Sequence, residues 1–281
     1  MNASDWGLSA KKMLDHIMSI IDLGITTFDH ADIYGGYTCE SLFGNALKQK
    51  SSIRNQIQII SKCGIQLVSE NRPKTYVKHY NTTYDHIVSS VENSLKNLHT
   101  DYLDVLLIHR PDPIMKYEEI AEAFYQLSKE GKVRYFGVSN FSPQQFRTLQ
   151  SHLDLSLATN QIEISLECLD AFQNGTLDFL TEQRVPPMAW SPLAGGRIFQ
   201  PEDERSFRIQ SKLQQLISQG IAKSMDQLLL AWLLHHPSGI IPVIGTGKPE
   251  RIKSAMEAYK IDLSIQQWFD LWSASTGKPV P

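Results

Sequence analysis

Short apolar runs alternate with amphipathic segments along most of the 281-residue chain. Runs rich in leucine and β-branched residues predict seven strands, at residues 25–28, 57–62, 103–108, 133–138, 157–162, 187–190 and 240–243. Helical spacing predicts helices near residues 9–23, 38–48, 83–97, 116–130, 143–151, 173–183 and 224–235. Ser9 and Ser142 are typical first caps of such helices, and Gly24 and Gly131 are typical of their ends.

This alternation indicates a parallel sheet with crossover helices, either open or closed into a barrel. Polar clusters follow many of the predicted strands, and a barrel gathers all such strand ends on one face. An open sheet would concentrate its ligand groups at one switch point. We therefore predict an α/β fold, a (β/α)8 TIM barrel that forms a single domain over residues 1–281.

The strand count falls one short of the eight that such a barrel needs, and the pattern begins with a helix. Either a strand is hidden in residues 63–82 or 194–222, or the chain lacks its first strand. The longest irregular segments, 64–82 and 194–205, each follow a predicted strand. Long loops in compact domains are often functional, so we expect both segments to cover a site.

Composition narrows the class of protein. Hydrophobic residues make up 42% of the chain, no apolar run is long enough for a membrane helix, and the N-terminus has no secretory pattern. A cytoplasmic protein with no membrane partner is therefore expected. The net charge of -3 leaves no basic footprint for nucleic acid, so a small molecule is the expected partner. The three cysteines lack metal-ligand spacing and predict reduced thiols.

Four polar residues follow strand ends in a pattern suited to carbonyl chemistry. Asp29, Lys62 and His109 lie at the ends of predicted strands, and Tyr34 comes five residues after Asp29. A tyrosine is a weak acid, but a neighbouring ammonium such as Lys62 stabilises its phenolate form. Asp29 could hold Lys62 by a charge-assisted hydrogen bond, and His109 could orient a carbonyl oxygen.

Each of these residues also has a plainer interpretation. Asp29 could cap the following helix, and Tyr34 could be an ordinary aromatic at the rim. Lys62 could instead form a Schiff base, as in barrel aldolases. His30 together with His109 would suggest a metal site, but further ligands at sensible spacing are missing, so no metal is predicted.

Seven motifs carry a resemblance to a known family. They are D-x-A-x-x-Y-G, a strand-final Ser-Lys, L-I-H-R-P, V-S-N-F, N-Q-I-E, A-W-S-P-L and I-G-T-G-K-P-E-R, and their order resembles that of aldo-keto reductases. The ending I-G-[ST]-G-K-x-E-R with Q-Q-W-F is similar to the YdhF-type bacterial branch. Family members usually begin with a strand and a Gly-rich loop, and the pattern here starts after it, in agreement with the count of seven strands.

The resemblance implies a (β/α)8 barrel that reduces aldehydes or ketones with NADPH. Asp29, Tyr34, Lys62 and His109 would be the catalytic tetrad, with Tyr34 as general acid. Ser139, Asn140 and Gln161 would hold the nicotinamide carboxamide, and Trp190 would stack on its ring. Along the pyrophosphate would lie Ser191, Leu193, Gly195, Gly196 and Arg197. Around the adenosine 2′-phosphate would lie Gly245, Thr246, Gly247, Lys248 and Arg251.

The last group also has a physical basis of its own. The stretch GTGKPER follows the last predicted strand and opens a helix, where barrels often bind phosphate. Two cations at that place suit an extra phosphate better than a bare ribose, which favours NADP(H) over NAD. The leading hypothesis is a monomeric NADPH-dependent carbonyl reductase. The alternative is a nucleotide-binding redox sensor or scaffold with little turnover, and a Schiff-base lyase is a third possibility.

Overall fold

The computed structural model describes residues 6–281, and these group into two compact units that divide between Asn160 and Gln161. We call them the N-terminal unit and the C-terminal unit. The prediction of a single domain over the whole chain stays a prediction.

Parallel strands form the centre of the N-terminal unit. Its strands are β1 (Thr27–Asp29), β2 (Gln58–Cys63), β3 (Ile65–Gln66), β4 (His79–Tyr80), β5 (Leu103–Ile108), β6 (Val133–Ser139) and the first part of β7 (Leu157–Glu163). β1 pairs with β2, β2 with β5 and β5 with β6, all in parallel, whereas β3 and β4 form a separate antiparallel pair. β6 passes so close to β7 that a Cβ at Gly137 would lie 2.7 Å from the carbonyl oxygen of Thr159.

One helix precedes the strands of this unit, and others connect them. They are α1 (Ala10–Asp22), α2 (Tyr34–Tyr37), α3 (Cys39–Leu47), α4 (Tyr84–Leu98), α5 (Tyr117–Lys129) and α6 (Pro143–Gln150), with a 3-10 helix at Ser51–Gln56. The predicted caps are confirmed, since Ser9 accepts a hydrogen bond from the N–H of Lys12 and Ser142 forms a capping box with Gln145. Gly24 and Gly131 have positive φ just past helix ends.

The C-terminal unit continues the same alternation. It contains the end of β7, α7 (Asp170–Gln173), α8 (Thr176–Glu182), β8 (Met188–Trp190), α9 (Glu204–Ser218), α10 (Met225–Leu234), β9 (Ile241–Pro242), α11 (Pro249–Glu257) and α12 (Ile265–Thr276), with 3-10 helices at Ala194–Phe199 and Ala258–Lys260. β7 pairs with β8 and β8 with β9, again in parallel. α10 is apolar and buried nearly all round, and its Trp232 stacks on Trp268 of α12 with ring centroids 4.8 Å apart.

All seven predicted strands are confirmed, with ends that differ by at most two residues. The proposal that an eighth strand lies hidden in residues 63–82 or 194–222 is wrong for the part of the chain that the structure describes. The first segment contains the small β3–β4 sheet, which is separate from the parallel strands, and the second contains a 3-10 helix and α9. The helix expected after the stretch GTGKPER is α11, whereas α9 and α12 were not predicted. Within residues 6–281, no helix has the length and apolarity required to cross a membrane.

Candidate active site

Asp29, Lys62 and Tyr34 converge on one point in the N-terminal unit. The Nζ of Lys62 donates to Oδ2 of Asp29 at 2.7 Å and to the phenol oxygen of Tyr34 at 3.3 Å. A third bond runs from the same ammonium to the carbonyl oxygen of His30, also at 2.7 Å. All three N–H groups of the ammonium therefore donate hydrogen bonds, and one of these bonds reaches Tyr34.

Burial and charge act in opposite directions on this lysine. The Lys62 side chain is fully buried, and burial alone would lower its pKa. The carboxylate of Asp29 and the phenol of Tyr34 act more strongly together, and the net pKa of Lys62 is raised. Lys62 is therefore a permanent cation next to a phenol, which is unfavourable for a Schiff-base nucleophile because that role needs a neutral amine.

Tyr34 is positioned by a tight connection after β1. The backbone N–H of His30 donates to the carbonyl oxygen of Ile60, and that of Asp32 donates to the carbonyl oxygen of Lys62. These bonds tie the loop to β2. Tyr34 then opens the short helix α2, in which Gly35 and Gly36 have φ values of 60° and 61°. Only glycine adopts this left-handed conformation without strain, so the pair allows the sharp turn behind the tyrosine.

His109 stands beside Tyr34 as a neutral ring. It directly follows β5, its backbone N–H donates to the carbonyl oxygen of Cys63, and its ring meets that of Tyr34 edge-on with centroids 5.9 Å apart. Burial lowers the pKa of His109 to about 3, and the charge of Lys62 adds to the effect. Its Nδ1 is buried without a hydrogen-bond partner among the described residues. A neutral imidazole retains one N–H, which can bond to a carbonyl oxygen.

The sequence prediction needs one correction at β2. Lys62 is the penultimate residue of the strand rather than the last, because the ladder with β5 extends to Cys63. Cys63 is buried, and burial raises the pKa of its thiol well above the usual range. Its thiol is therefore not activated.

Two further residues of the predicted cofactor set belong to the N-terminal unit. Ser139 is buried at the end of β6, and Asn140 follows with a φ of 62°. The amide of Asn140 donates to Oγ of Ser139 at 2.8 Å and to the carbonyl oxygen of His109 at 3.4 Å. These contacts bring Ser139 and Asn140 into one group with a member of the tetrad.

The remaining cofactor candidates lie in the C-terminal unit, at the ends of its strands. Gln161 is buried in β7, with its amide 3.9 Å from the sulfur of Met188, and the half-buried Trp190 ends β8. Ser191 follows with a φ of 50°, and Leu193 precedes the 3-10 helix. Left-handed backbone at a non-glycine residue such as Ser191 is uncommon and is found most often at functional sites.

The candidate pyrophosphate turn is exposed, and one of its side chains is held by an ion pair. Gly195 and Gly196 have φ values of 64° and 93°. The exposed Arg197 forms an ion pair with Glu167, with Nε 2.9 Å from Oε2. Arg197 is therefore engaged with a carboxylate in this structure.

The candidate phosphate loop leads from β9 into α11. Gly245, Thr246 and Gly247 form the loop, Lys248 caps α11, and Pro249 occupies its first turn. The hydroxyl of Thr246 accepts from the N–H of Lys248 at 3.2 Å. The side chain of Lys248 and that of Arg251, in the first turn of α11, are exposed, so both are accessible to an anion at the helix N-terminus.

Across residues 6–281, no three side chains of histidine, cysteine, aspartate or glutamate are grouped so as to hold a metal ion. The backbone oxygen of His30, which is the third acceptor of Lys62, was not predicted. No side-chain pattern could have revealed it, because it depends on how the loop after β1 turns.

Comparison with known proteins decides the family. The model of the aldo/keto reductase family matches residues 1–275. The chain belongs to this family. Its fold class is accordingly the (β/α)8 barrel, and it is an oxidoreductase.

Among bacterial members of the aldo/keto reductase family, the oxidoreductase YcsN of Bacillus subtilis (strain 168) is 50% identical and is matched over 99% of this chain and 93% of its own length. Oxidoreductase YdhF of Escherichia coli (strain K12) is 48% identical, over 99% of this chain and 92% of its own. The resemblance to a YdhF-type branch is therefore confirmed. A 6-dehydroglucose reductase of Agrobacterium fabrum is 46% identical, over 92% of this chain and 85% of its own.

Solved structures of aldo/keto reductases agree with this placement. The thermostable aldo-keto reductase Tm1743, solved with the inhibitor epalrestat, has a TM-score of 0.80 at 28% identity and covers 95% of this chain and 89% of its own. An aldo/keto reductase from Klebsiella pneumoniae, solved with NADP and acetate, has a TM-score of 0.73 at 26% identity and covers 97% and 87%.

Proposed function

We propose that the chain reduces an aldehyde or ketone to an alcohol with NADPH, and that Tyr34 donates the proton. The observation that carries the proposal is the 3.3 Å bond from the buried ammonium of Lys62 to the phenol oxygen of Tyr34. A phenol that loses its proton during reduction leaves a phenolate, and the adjacent cation stabilises that charge. Asp29 keeps Lys62 charged and fixed at 2.7 Å.

His109 would act on the substrate oxygen as a neutral donor. The low pKa of its ring, set mainly by burial, leaves it uncharged throughout the physiological range. A neutral imidazole orients a carbonyl oxygen without competing with Tyr34 as the acid. The division of roles is therefore that His109 positions the oxygen, Tyr34 transfers the proton, and Lys62 with Asp29 adjusts the tyrosine.

The residues present fit a nicotinamide cofactor. Bound NADPH would supply the hydride that reaches the carbonyl carbon, so that the hydride and the proton of Tyr34 together make the alcohol. Ser139 and Asn140 offer a hydroxyl and an amide next to the tetrad, both suited to a carboxamide. In the C-terminal unit, the exposed cations Lys248 and Arg251 at the start of α11 suit a phosphate. The Klebsiella relative solved with NADP supports this assignment.

The remaining predicted residues keep the roles that the family resemblance implies. Gln161 would hold the carboxamide, and Trp190 would stack on the nicotinamide ring. The groups along the pyrophosphate would be Ser191, Leu193, Gly195, Gly196 and Arg197, and those around the 2′-phosphate would include Gly245, Thr246 and Gly247. Arg197 would have to exchange its ion pair with Glu167 for the pyrophosphate. A cytoplasmic monomer also remains part of the proposal.

The test is NADPH oxidation by the purified chain with a panel of aldehydes and ketones. The panel includes 6-dehydroglucose, the compound named for a relative at 46% identity. Tyr34→Phe should lower kcat by at least about 10²-fold, while NADPH still quenches tryptophan fluorescence. Tyr125→Phe, which removes a hydroxyl from a ring of α5 that is 64% exposed, is the matched control and should leave kcat unchanged.

Normal turnover by a folded Tyr34→Phe variant would contradict the proposal. NADPH binding by the unaltered chain without reduction of any carbonyl would instead favour the redox sensor or scaffold. Borohydride trapping of a substrate on Lys62 would favour the lyase, and the raised pKa of Lys62 makes that result unexpected.

A further inference from the structure

A polar cavity of about 260 Å³ lies in the N-terminal unit, away from the ammonium of Lys62. It is lined by residues of the loop after β1, of α3, of α4 and of the segment between β2 and α4. Side chains alternate along a strand, so Ser61 and Cys63 point away from the face of β2 that carries Lys62. Ser61 donates to Glu40 of the cavity wall at 2.6 Å, which places the cavity behind that strand.

The wall formed by α4 is polar at every position that faces the cavity. Its lining residues are His86, Ser89, Ser90, Asn93, Ser94 and Asn97. Their spacing of three and four residues marks one continuous helix face, and such a face is usually apolar when it packs on another helix. α3 and α4 do pack tightly, since a Cβ at Gly44 would lie 2.0 Å from the carbonyl oxygen of Asn97. The cavity is therefore a polar space beside a close helix contact.

One carboxyl oxygen of a lining residue, Asp32, has no hydrogen-bond donor among the described residues. The Oδ1 of Asp32 is buried and accepts no hydrogen bond from any described residue, although Asp32 as a whole is half-buried. An unpaired buried acceptor is unfavourable, and Asp32 is one of the residues that line the cavity. A ligand with a hydroxyl or N–H at this position would satisfy the carboxyl.

The charges of the lining are largely offset. Glu40 already has three donors, the hydroxyls of Ser61 and Ser94 and the amide of Asn97. The guanidinium of Arg72 lies over the ring of Tyr37 at 4.5 Å, and its charge also acts on Asp32. A cationic ligand is therefore disfavoured, because Glu40 is already satisfied and Arg72 is itself a cation in the cavity wall.

The other lining groups can donate as well as accept. Gln66, Ser89 and Asn93 line the cavity with an amide or hydroxyl, groups that pair in both senses. The neighbouring hydroxyls of a polyhydroxylated ligand can likewise both donate and accept hydrogen bonds. The volume is below the roughly 300–1,000 Å³ of sites for drug-sized ligands, so it suits a compact molecule.

We propose that this cavity is a second binding site, separate from the tetrad, for a neutral polyhydroxylated molecule the size of a monosaccharide or its alditol. Asp32 accepts from one hydroxyl, while Asn93, Ser89 and Arg72 bond to others. Burial, together with the charge of Glu40, raises the pKa of Asp32 well above its usual range, which suits a carboxyl that pairs with hydroxyls rather than with a cation. The proposal does not depend on the carbonyl reductase activity.

The test is calorimetric titration of the full chain with D-sorbitol, without nucleotide, because sorbitol has no carbonyl group to be reduced. We expect saturable one-to-one binding in the millimolar range. Asn93→Leu, a change at an exposed position that places an apolar side chain in the cavity, should weaken binding by at least about tenfold. Asp32→Leu should weaken it similarly, and circular dichroism checks that both variants fold.

Tyr34→Phe is the matched control for binding at the tetrad and should leave the sorbitol affinity unchanged. Absence of saturation up to about 100 mM sorbitol would overturn the proposal and assign the cavity to water alone. Loss of binding in Tyr34→Phe but not in Asn93→Leu would also overturn it, by placing sorbitol at the tetrad. Tighter binding of methylammonium than of sorbitol would overturn the neutral ligand class.

Discussion

The carboxylate of Asp29 lies 2.7 Å from the ammonium of Lys62, whose side chain is completely shielded from solvent. This ion pair fixes the lysine that stands next to Tyr34. Burial favours the neutral amine, and the carboxylate is the first of the groups that reverse this preference. The protonation of Lys62 therefore depends on Asp29.

Asp29→Asn should lower the pKa of Lys62 and impair proton transfer. We expect kcat to fall by about 10²-fold and the free energy of unfolding by about 3 kcal/mol, because a buried charge loses its partner. The measurements are steady-state NADPH oxidation across pH and urea denaturation. The double variant Asp29→Asn with Lys62→Met removes both charges and should recover stability without recovering turnover. Unaltered kcat in Asp29→Asn would contradict the assignment.

A second buried ion pair stabilises the N-terminal unit without touching the tetrad. Arg54 binds Asp104 at 2.7 Å, and its other guanidinium bonds reach the hydroxyl of Thr100 and the carbonyl oxygens of Ile57 and Tyr102. Asp104 also accepts from the backbone N–H of Ile59 in β2. Arg54 therefore links β2 and β5 with the segment before β2.

Arg54→Met should cost about 3 kcal/mol of unfolding free energy, because several buried acceptors and a carboxylate lose their donor. The kcat of the folded variant should stay close to that of the unaltered chain. Lys116→Met is the matched control, since Lys116 pairs with Glu119 at 2.8 Å but its side chain is 73% exposed. Its loss should barely change the free energy of unfolding. Urea denaturation monitored by fluorescence compares the two; equal losses would be inconsistent with this interpretation.

Stability should also depend on pH through His86. Burial, with added effects of His79 and Arg72, lowers the pKa of His86 to about 4, whereas an unfolded histidine titrates near 6.5. Below pH 6.5 the unfolded chain binds more protons at this residue than the folded chain. The contribution of His86 to the free energy of unfolding is therefore complete above pH 6.5 and is lost as the pH falls towards 4.

Replacing this histidine isolates the effect. Between pH 7 and pH 5 the unaltered chain should lose about 2 kcal/mol more unfolding free energy than His86→Gln does. Chemical denaturation at both pH values in the same buffer gives the difference. Parallel losses in the two proteins would show that His86 does not resist protonation in the folded state.

Three of the four residues of the proposed tetrad could be placed from the sequence because they lie at strand ends, and strands are recognised from apolar runs. Asp29 ends β1 and His109 follows β5, as the sequence indicates. The C-terminal helices were harder. α9 begins after the Gly- and Pro-containing segment 194–203, although Asp203 and Ser206 form a capping box that signals its start.

The polar cavity could not be predicted, because it depends on contacts between distant segments. The unpaired oxygen of Asp32 depends on the packing of the elements around it and has no counterpart in a sequence pattern. The serine, asparagine and histidine positions of α4 did carry a signal, a polar helix face at a spacing expected for core contacts. Helical periodicity alone could not tell that face from a solvated one.

Cofactor preference should depend on the loop that opens α11. Lys248 and Arg251 are exposed cations near its N-terminus, where an added 2′-phosphate would bring two negative charges. Lys248→Ala with Arg251→Ala should raise the KM for NADPH by about tenfold or more and leave kcat nearly unchanged, because these contacts do not differ between the bound and transition states. The KM for NADH should change little.

Lys253→Ala removes an exposed cation from the same helix, away from its first turn, and is the matched control. It should leave the KM for both nucleotides unchanged. The effect of the double variant should shrink as the salt concentration rises, since added ions screen exposed charges. Equal increases in KM for NADPH and NADH would show that these cations do not recognise the 2′-phosphate.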